Sequence, residues 1–400
     1  GKRQRPIMKD LLLTPRNISR VADQLAKMRG AAMKVGQLVS MDTGDMLPPE
    51  LAQIMARLRD DAHFMPPAQL KQVLNAQWPA NWINQFKTFD VRPIAAASIG
   101  QVHKVTLKDG RELAIKVQYP GVAKSIDSDV ANVAALIRMS GLLPKGLDLA
   151  PYLAEARAQL HEETDYIREA AQTKRFADLL ADQPQFVVPK LVDDWSTSQI
   201  LAMSFEPGIA VEEAANESQE IRDQIATHLI ALTLREIFDF GFMQTDPNFA
   251  NYRYQSNTGR IVLLDFGAAR DISAPVARQY RRLLQAGLKD DAAGIQQIAQ
   301  EIGFIDHATA RNHCTQVITM IRLVMTALQD APLVDFGKVE LSQRLQAEGI
   351  ALAEDGFVPP PLPIEVLLLQ RKFGGVYLLA SRLGARVDVV GLLRPYLGEI

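Results

Sequence analysis

The chain has 400 residues, of which 48% are hydrophobic and 22% charged, with a net charge of −2. This is a globular composition too long for one core, so at roughly 150 residues per unit two or three units are expected. The near-zero charge gives no electrostatic case for a nucleic-acid partner, and a single cysteine, Cys314, excludes a disulfide framework and fits a reducing compartment.

The first residues, GKRQRPIMK, carry a basic cluster (Lys2, Arg3, Arg5, Lys9), read as a solvated end rather than as a patch for an anionic membrane. Because the chain starts at Gly1 rather than Met, a targeting segment or anchor outside it is compatible with the sequence. Thr14–Pro15 supplies a cap and a first-turn proline, and apolar residues recur at Ile18, Val21, Leu25 and Met28, so residues 14 to about 60 are predicted helical. MLPPE and FMPPAQ punctuate this region.

From about residue 86 the texture turns to strands. Asp109–Gly110 marks a hairpin between QVHKVTL and RELAIKVQY. Residues 126–140 and 151–182 have helical periodicity; FVVPKLV and SQILAMSFEPG read as two more strands. After 217 the chain is almost wholly helical, interrupted by QTDPNFANYRY and GRIVLLDFG, a loop, strand, turn, strand and loop. FVPPPLPIE at 357–365 separates helices, and PIEVLLLQRKFGGVYLLASRL is expected in a core rather than against a membrane. No apolar run reaches the roughly 18 residues of a spanning helix. The order predicts an α+β, bilobal, protein-kinase-like fold. A helical extension would occupy 1–85, a small β-rich N-lobe 86–204 and a large helical C-lobe 205–400.

The chemistry lies in a few short motifs. In MQTDPNFAN, Asp246 and Asn251 have the spacing of the kinase catalytic loop H-R-D-x-x-x-x-N, with Gln244 and Thr245 in place of histidine and arginine. Asp246 would face the attacking group and Asn251 hold a metal. Asp265 ends the apolar strand IVLLDFG as a metal-gripping D-F-G aspartate, joined to Asn251 by a hairpin through Asn257 and Gly259. A second D-F-G at Asp335 has no catalytic loop upstream and is set aside. Lys116 in LAIKVQYPG matches the phosphate-binding strand lysine, and Glu169, about 50 residues later on a helix, is its expected partner. Met203 takes the gatekeeper position, with Ser204 and Glu206 offering backbone groups to adenine. Where a kinase has glycines over the phosphates, Ala95, Ala96, Ala97 and Ser98 stand, which predicts a stiffer loop. Cys314 is expected as a small buried residue, and His307, His313 and Cys314 lack zinc spacing.

Together these motifs resemble the UbiB (ADCK) family of atypical kinase-like proteins, over residues from about 30 to at least 275. KVGQ (Lys34, Gly36, Gln37) matches its K-x-G-Q motif, Glu163-Thr164-Asp165 its E-x-D motif, and Ala95–Ser98 its alanine-rich loop. The MQTDPNFAN wording is similar to the mitochondrial-type branch concerned with coenzyme Q. The resemblance implies ATP and Mg2+ as cofactors and a regulatory role for the helical extension, with Lys34 pairing with Glu163 or Asp165. It also implies a lipid or quinone-precursor acceptor, coenzyme Q biosynthesis proteins as partners, and peripheral membrane contact. After Gly267 the chain enters APVARQYRRLLQAGL within about ten residues, with no A-P-E motif, so no peptide-docking platform is expected. Two alternatives stay open: a small-molecule kinase of the aminoglycoside or choline type, and a nucleotide-gated scaffold that transfers no phosphate.

Overall fold

A computed structural model describes residues 15–43, 48–60, 64–143, 147–330 and 332–398. The basic N-terminal cluster, the Thr14 cap and the Met46–Leu47 part of MLPPE lie outside the described residues. The chain divides into two compact units, residues 1–175 with 189–205 and residues 176–188 with 206–400.

In the first unit, helices Pro15–Ala26, Arg29–Thr43 and Pro49–Asp60 come first among the described residues. Their apolar faces (Leu25, Val35, Leu58) share a core with Val130, Val133, Ala156 and Leu160 of helices Val122–Ser140 and Ala150–Glu163. Gly36 lets helices Arg29–Thr43 and Pro49–Asp60 pack closely, because a Cβ there would overlap the Met55 side chain. The sheet contains β1 (Phe86–Phe89), β2 (Ala95–Ala96), β3 (Gly100–Leu107), β4 (Glu112–Gln118) and strand Ile200–Ser204. Its order is β1, β3, β4, then Ile200–Ser204, with β2 paired to β3.

The β3–β4 hairpin turns where Asp109–Gly110 predicts. Gly110 has φ +93°, and the Asp109 carboxylate accepts the Arg111 N–H at 3.0 Å. The strand period of two then sorts β4. Leu113, Ile115 and Val117 pack against the cluster of Trp78, Trp82 and Phe86, while Lys116 and Gln118 face Glu169 and Thr164.

Two segments differ from the sequence reading. The stretch 151–182 is two helices, Ala150–Glu163 and Tyr166–Leu179. The carboxylate of Asp165 accepts the Arg168 N–H at 2.9 Å and starts the second helix as an N-cap. FVVPKLV is divided as well. Phe186–Val187 pairs in parallel with Ile261–Val262 in the second unit, and Leu191 bridges Met203 in the first. Pro189 between them has no N–H to continue a ladder.

The second unit is built on helix Gln219–Arg235, which runs into a π-helical turn at Glu236–Phe240. Strand Phe242–Gln244 follows and pairs with Ala269–Asp271. The hairpin Tyr252–Gln255/Arg260–Leu263 closes at Gly259, φ +69°. Helices Ala274–Leu288, Ala292–Ile302, Arg311–Leu328, Glu340–Glu354, Ile364–Arg382 and Val389–Leu397 complete it. Cys314 is buried beside Ala299 and Ile305. Asp335 of the second D-F-G lies in a two-residue strand paired with Arg386–Val387, away from the catalytic-loop strand's pairing. Among the described residues no helix is long and apolar enough to cross a membrane.

Candidate active site

Lys116 sits mid-sheet in β4, opposite Val102 on one side and Leu201 on the other. Its ammonium donates to both oxygens of Glu169, at 2.9 and 3.0 Å, and lies 5.3 Å from the Tyr166 ring centroid. Both side chains are buried, with Lys116 8% and Glu169 2% exposed. A charge this far from water persists only with a well-formed counterion, and the two-pronged contact supplies one. Glu169 is placed by the helix that Asp165 caps, so the E-x-D motif positions the lysine's partner through the backbone.

The alanine-rich loop is a tight hairpin. Ala95 and Ala96 are exposed and pair with Val102 and Gln101, and the Ala97 N–H donates to the Gly100 carbonyl at 2.8 Å. Its tip is pinned from two sides. The Ser98 hydroxyl donates to one Glu163 oxygen while the Lys34 ammonium is ion-paired with the other. Gly30 lies under the Ser98 carbonyl, which a Cβ there would meet at 2.6 Å. Lys34, Ser98 and Glu163 thus join the K-x-G-Q helix, the alanine loop and the E-x-D motif at one carboxylate. Asp165 makes the cap described above instead of meeting Lys34. Gln37 is half-buried, and its carbonyl accepts the Ser40 hydroxyl.

On the edge strand, Met203 pairs with Ala114. Ser204 is tied to Lys190 both ways: its N–H donates to the Lys190 carbonyl at 2.8 Å and its hydroxyl accepts the Lys190 N–H at 2.9 Å. The Ser204 N–H is therefore committed within the strand. Glu206 is half-buried and begins the long segment of the second unit.

In the second unit the side chains of Gln244 and Thr245 both bond to the D-F-G segment. The Gln244 side chain donates to the Asp265 carbonyl at 2.8 Å and accepts the Asp246 N–H at 2.5 Å. Thr245 donates its hydroxyl to the Ala268 carbonyl at 2.7 Å. The catalytic loop and the D-F-G segment are thereby tied together at successive residues. The Asn251 carbonyl accepts the Leu264 N–H at 2.8 Å, and its amide nitrogen lies 3.3 Å from the Asp246 carbonyl and 3.5 Å from its carboxylate. Asp265 has φ +59°, a region few non-glycine residues adopt, and its carboxylate accepts the Gly267 N–H at 3.0 Å. Asn251 and Asp265 offer oxygen donors, the kind a magnesium ion takes.

Beneath the loop lies a buried clamp. Glu236 accepts the Gln244 N–H at 3.1 Å, and Lys372 donates to the Gln244 carbonyl at 2.8 Å and to the Tyr252 hydroxyl at 3.3 Å. Lys372 and Glu236 form an ion pair at 3.4 Å, both at most 2% exposed. Burial pushes the Glu236 carboxyl up, opposed by the Lys372 ammonium. Burial also works to depress Lys372, but Glu236 and Tyr252 outweigh it and its pKa is raised. Arg371 reaches Asp246 at 3.4 Å. Gly375 leaves room for Pro247, which a Cβ would meet.

Residues 57–299 match the family described as the ABC1 atypical kinase-like domain. The chain belongs to the ABC1 atypical kinase-like family. It is 37% identical to the mitochondrial atypical kinase COQ8 of Saccharomyces cerevisiae over 98% of this chain and 79% of that protein. It is 38% identical to the mitochondrial atypical kinase COQ8B of Rattus norvegicus over 94% of this chain and 71% of that protein. Among solved structures it is similar to Rv3197 of Mycobacterium tuberculosis, solved with erythromycin. That match has a TM-score of 0.68 at 25% identity and covers 98% of this chain and all of the other. The kinase-like α+β fold and the atypical-kinase resemblance of the motifs are thereby established, and the aminoglycoside- or choline-kinase alternative is not favoured.

Against this ABC1 family background, sequence reasoning missed Glu236, Arg371, Lys372 and Gly375. For the last three the available signal was an Arg-Lys pair and two glycines in the middle of the largely apolar helix Ile364–Arg382; Glu236 had none.

Proposed function

We propose that this ABC1-family protein binds Mg-ATP and either hydrolyses it or passes its terminal phosphoryl group to a small or lipid acceptor, in support of coenzyme Q biosynthesis. The buried two-pronged Lys116–Glu169 pair carries this reading, since it holds an ammonium in a fixed place at the cost of desolvating two charges. In this reading Lys116 binds the α and β phosphates and Glu169 holds Lys116. Ala95, Ala96, Ala97 and Ser98 cover the phosphates. Met203 borders the adenine, and the Ser204 carbonyl and Glu206 N–H are its backbone contacts.

Asn251 and Asp265 would hold Mg2+, which supplies neutralisation of phosphate charge when bound. Asp246 orients the acceptor hydroxyl or water, steadied by Arg371. Lys34, Gly36 and Gln37 of the helical extension regulate the loop together with Glu163 and Asp165 of the E-x-D motif.

The acceptor is a small molecule or lipid rather than a protein, because only residues 268–273 separate Gly267 from helix Ala274–Leu288. Half of them are the strand paired to Phe242–Gln244, which leaves no loop to cradle a peptide. The mitochondrial designation of the COQ8 relatives supports a matrix-like reducing compartment; peripheral membrane contact and coenzyme Q biosynthesis proteins as partners complete this reading.

The test is Mg-ATP binding and ADP release by the full chain carrying Lys116→Ala or Asp265→Asn. Each is expected to lose turnover by at least about 100-fold. Full retained activity in either variant overturns the assignment. Stimulation of the wild-type ATPase by a phenolic quinone precursor or by anionic vesicles would support the lipid-linked acceptor, and stimulation by neither would count against it.

A further inference from the structure

A cavity of about 300 Å3 opens within the first unit and shares only Ser98 with the site described above. Its walls are the turn from Ala26 to Ala31 between the first two helices, Ser98–Ile99, Tyr119–Pro120, the start of helix Val122–Ser140, and Leu160. Its volume is at the lower end of those that take small organic ligands. Met28, Ile99, Val122, Ile126 and Leu160 make much of it apolar.

The polar lining is unevenly charged. Arg29 and the exposed Lys27 are cationic, and Asp129 is the acid among the lining residues. The Asp129 carboxylate is occupied by the Ser125 hydroxyl at 2.9 Å. Arg29 is half-buried, and among the described residues no carboxylate pairs with it. Its charge is felt at the Tyr119 hydroxyl, which burial pushes up and Arg29 pulls down. Arg29 and Tyr119 thus line the same cavity, and a half-buried guanidinium with no carboxylate partner among the described residues is a site that favours an anion.

We propose that this cavity binds a small organic anion, a phosphate monoester or carboxylate with a short apolar body. The head meets Arg29, and the body lies against Met28, Ile99, Val122 and Ile126. The bound anion rests on Ser98, whose hydroxyl is held by Glu163, so it stiffens the tip of the alanine loop. This second consequence, a change in nucleotide affinity, rests on the proposed function; the binding itself does not.

The experiment titrates the full chain, without nucleotide, with hexyl phosphate, hexanol and inorganic phosphate by calorimetry. Hexyl phosphate should bind one per chain, at least about 10-fold tighter than either fragment. Arg29→Gln should weaken hexyl phosphate by at least about 10-fold and leave hexanol unchanged. Val122→Trp, at the half-buried rim, should block the cavity, with thermal melting used to verify that each variant is folded. Hexyl phosphate binding no tighter than hexanol, or undiminished in both variants, overturns the site.

Capture on phosphatidic-acid vesicles identifies the source of the phosphate. Capture that depends on Arg29 assigns it to a lipid headgroup, whereas hexyl phosphate binding without such capture assigns it to a soluble ester. Adding hexyl phosphate should then shift ATP affinity by about 5-fold in wild type and not in Arg29→Gln. Ligand binding with no such shift removes the coupling and leaves the site standing.

Discussion

Gln244 donates its side-chain amide to the main-chain carbonyl of Asp265 across 2.8 Å, and the same side chain receives the Asp246 N–H. One residue therefore sets the separation between the proposed acceptor-orienting and metal-binding aspartates. Gln244 is 7% exposed, so water cannot readily replace what it provides. Gln244→Leu keeps the volume and removes both bonds, at about 1–3 kcal/mol for the groups left unsatisfied. Steady-state ADP release should fall at least about 10-fold while the fold persists. Turnover within twofold of wild type would show the tie to be incidental.

The Lys34–Glu163–Ser98 junction predicts a particular pattern of coupling. Lys34→Ala leaves a largely buried carboxylate, 18% exposed at the side chain, with only the Ser98 hydroxyl. Nucleotide affinity and ATP turnover should both change. Adding Glu163→Gln should partly restore stability, because the uncompensated charge is gone, giving a coupling energy of about 1–3 kcal/mol in a double-mutant cycle. Unchanged ATP binding and hydrolysis in Lys34→Ala would remove the junction from the working parts of the protein.

A pH effect follows from His103, which is completely buried. Its Nδ1 faces the Asp90 carbonyl at 2.8 Å and its Nε2 the Gln101 amide nitrogen at 2.8 Å, a pattern that suits the neutral ring. Burial lowers its pKa below 6.5, against the pull of Asp90. The unfolded chain takes up a proton near pH 6.5 that the folded chain refuses. Stability from this group is thus intact above 6.5 and is lost as pH falls toward the folded-state pKa, by at most about 1.4 kcal/mol per pH unit. Urea unfolding between pH 7 and 5 should show this slope, and His103→Gln should reduce it. An identical slope in the variant would place the titration elsewhere.

What could be read in advance was local or ordered along the chain. Asp109–Gly110 announced its hairpin because an Asp-Gly turn demands φ above zero. Lys116 and Glu169 could be matched by order and spacing along the chain, although the same helical stretch also carries Glu163 and Asp165. Helix periodicity could not show the break at Asp165, since apolar residues continue on both sides while the cap is a single hydrogen bond. The duties of Gln244 and Thr245 were hidden because replacing a motif's letters gives no hint of which carbonyls the new side chains reach. Arg371 and Lys372 were hidden by distance, lying 125 and 128 residues from the partners they hold. Such contacts leave no period in the sequence.

The Lys372–Glu236 pair gives the sharpest test of that hidden support. Both groups are at most 2% exposed, and together they grip the N–H and carbonyl of Gln244, two residues before Asp246. Lys372→Met fills the space but strands the Glu236 carboxyl, so chemical denaturation should show a loss of about 3–5 kcal/mol. Lys372→Met with Glu236→Gln should recover much of this, because no buried charge remains. Turnover should stay low in the double variant, since the Gln244 carbonyl still lacks its donor. That separation is what distinguishes a clamp on the catalytic strand from a merely stabilising ion pair. A double variant with both stability and turnover restored would mean that the strand holds its own position, and that Lys372 serves only to neutralise Glu236.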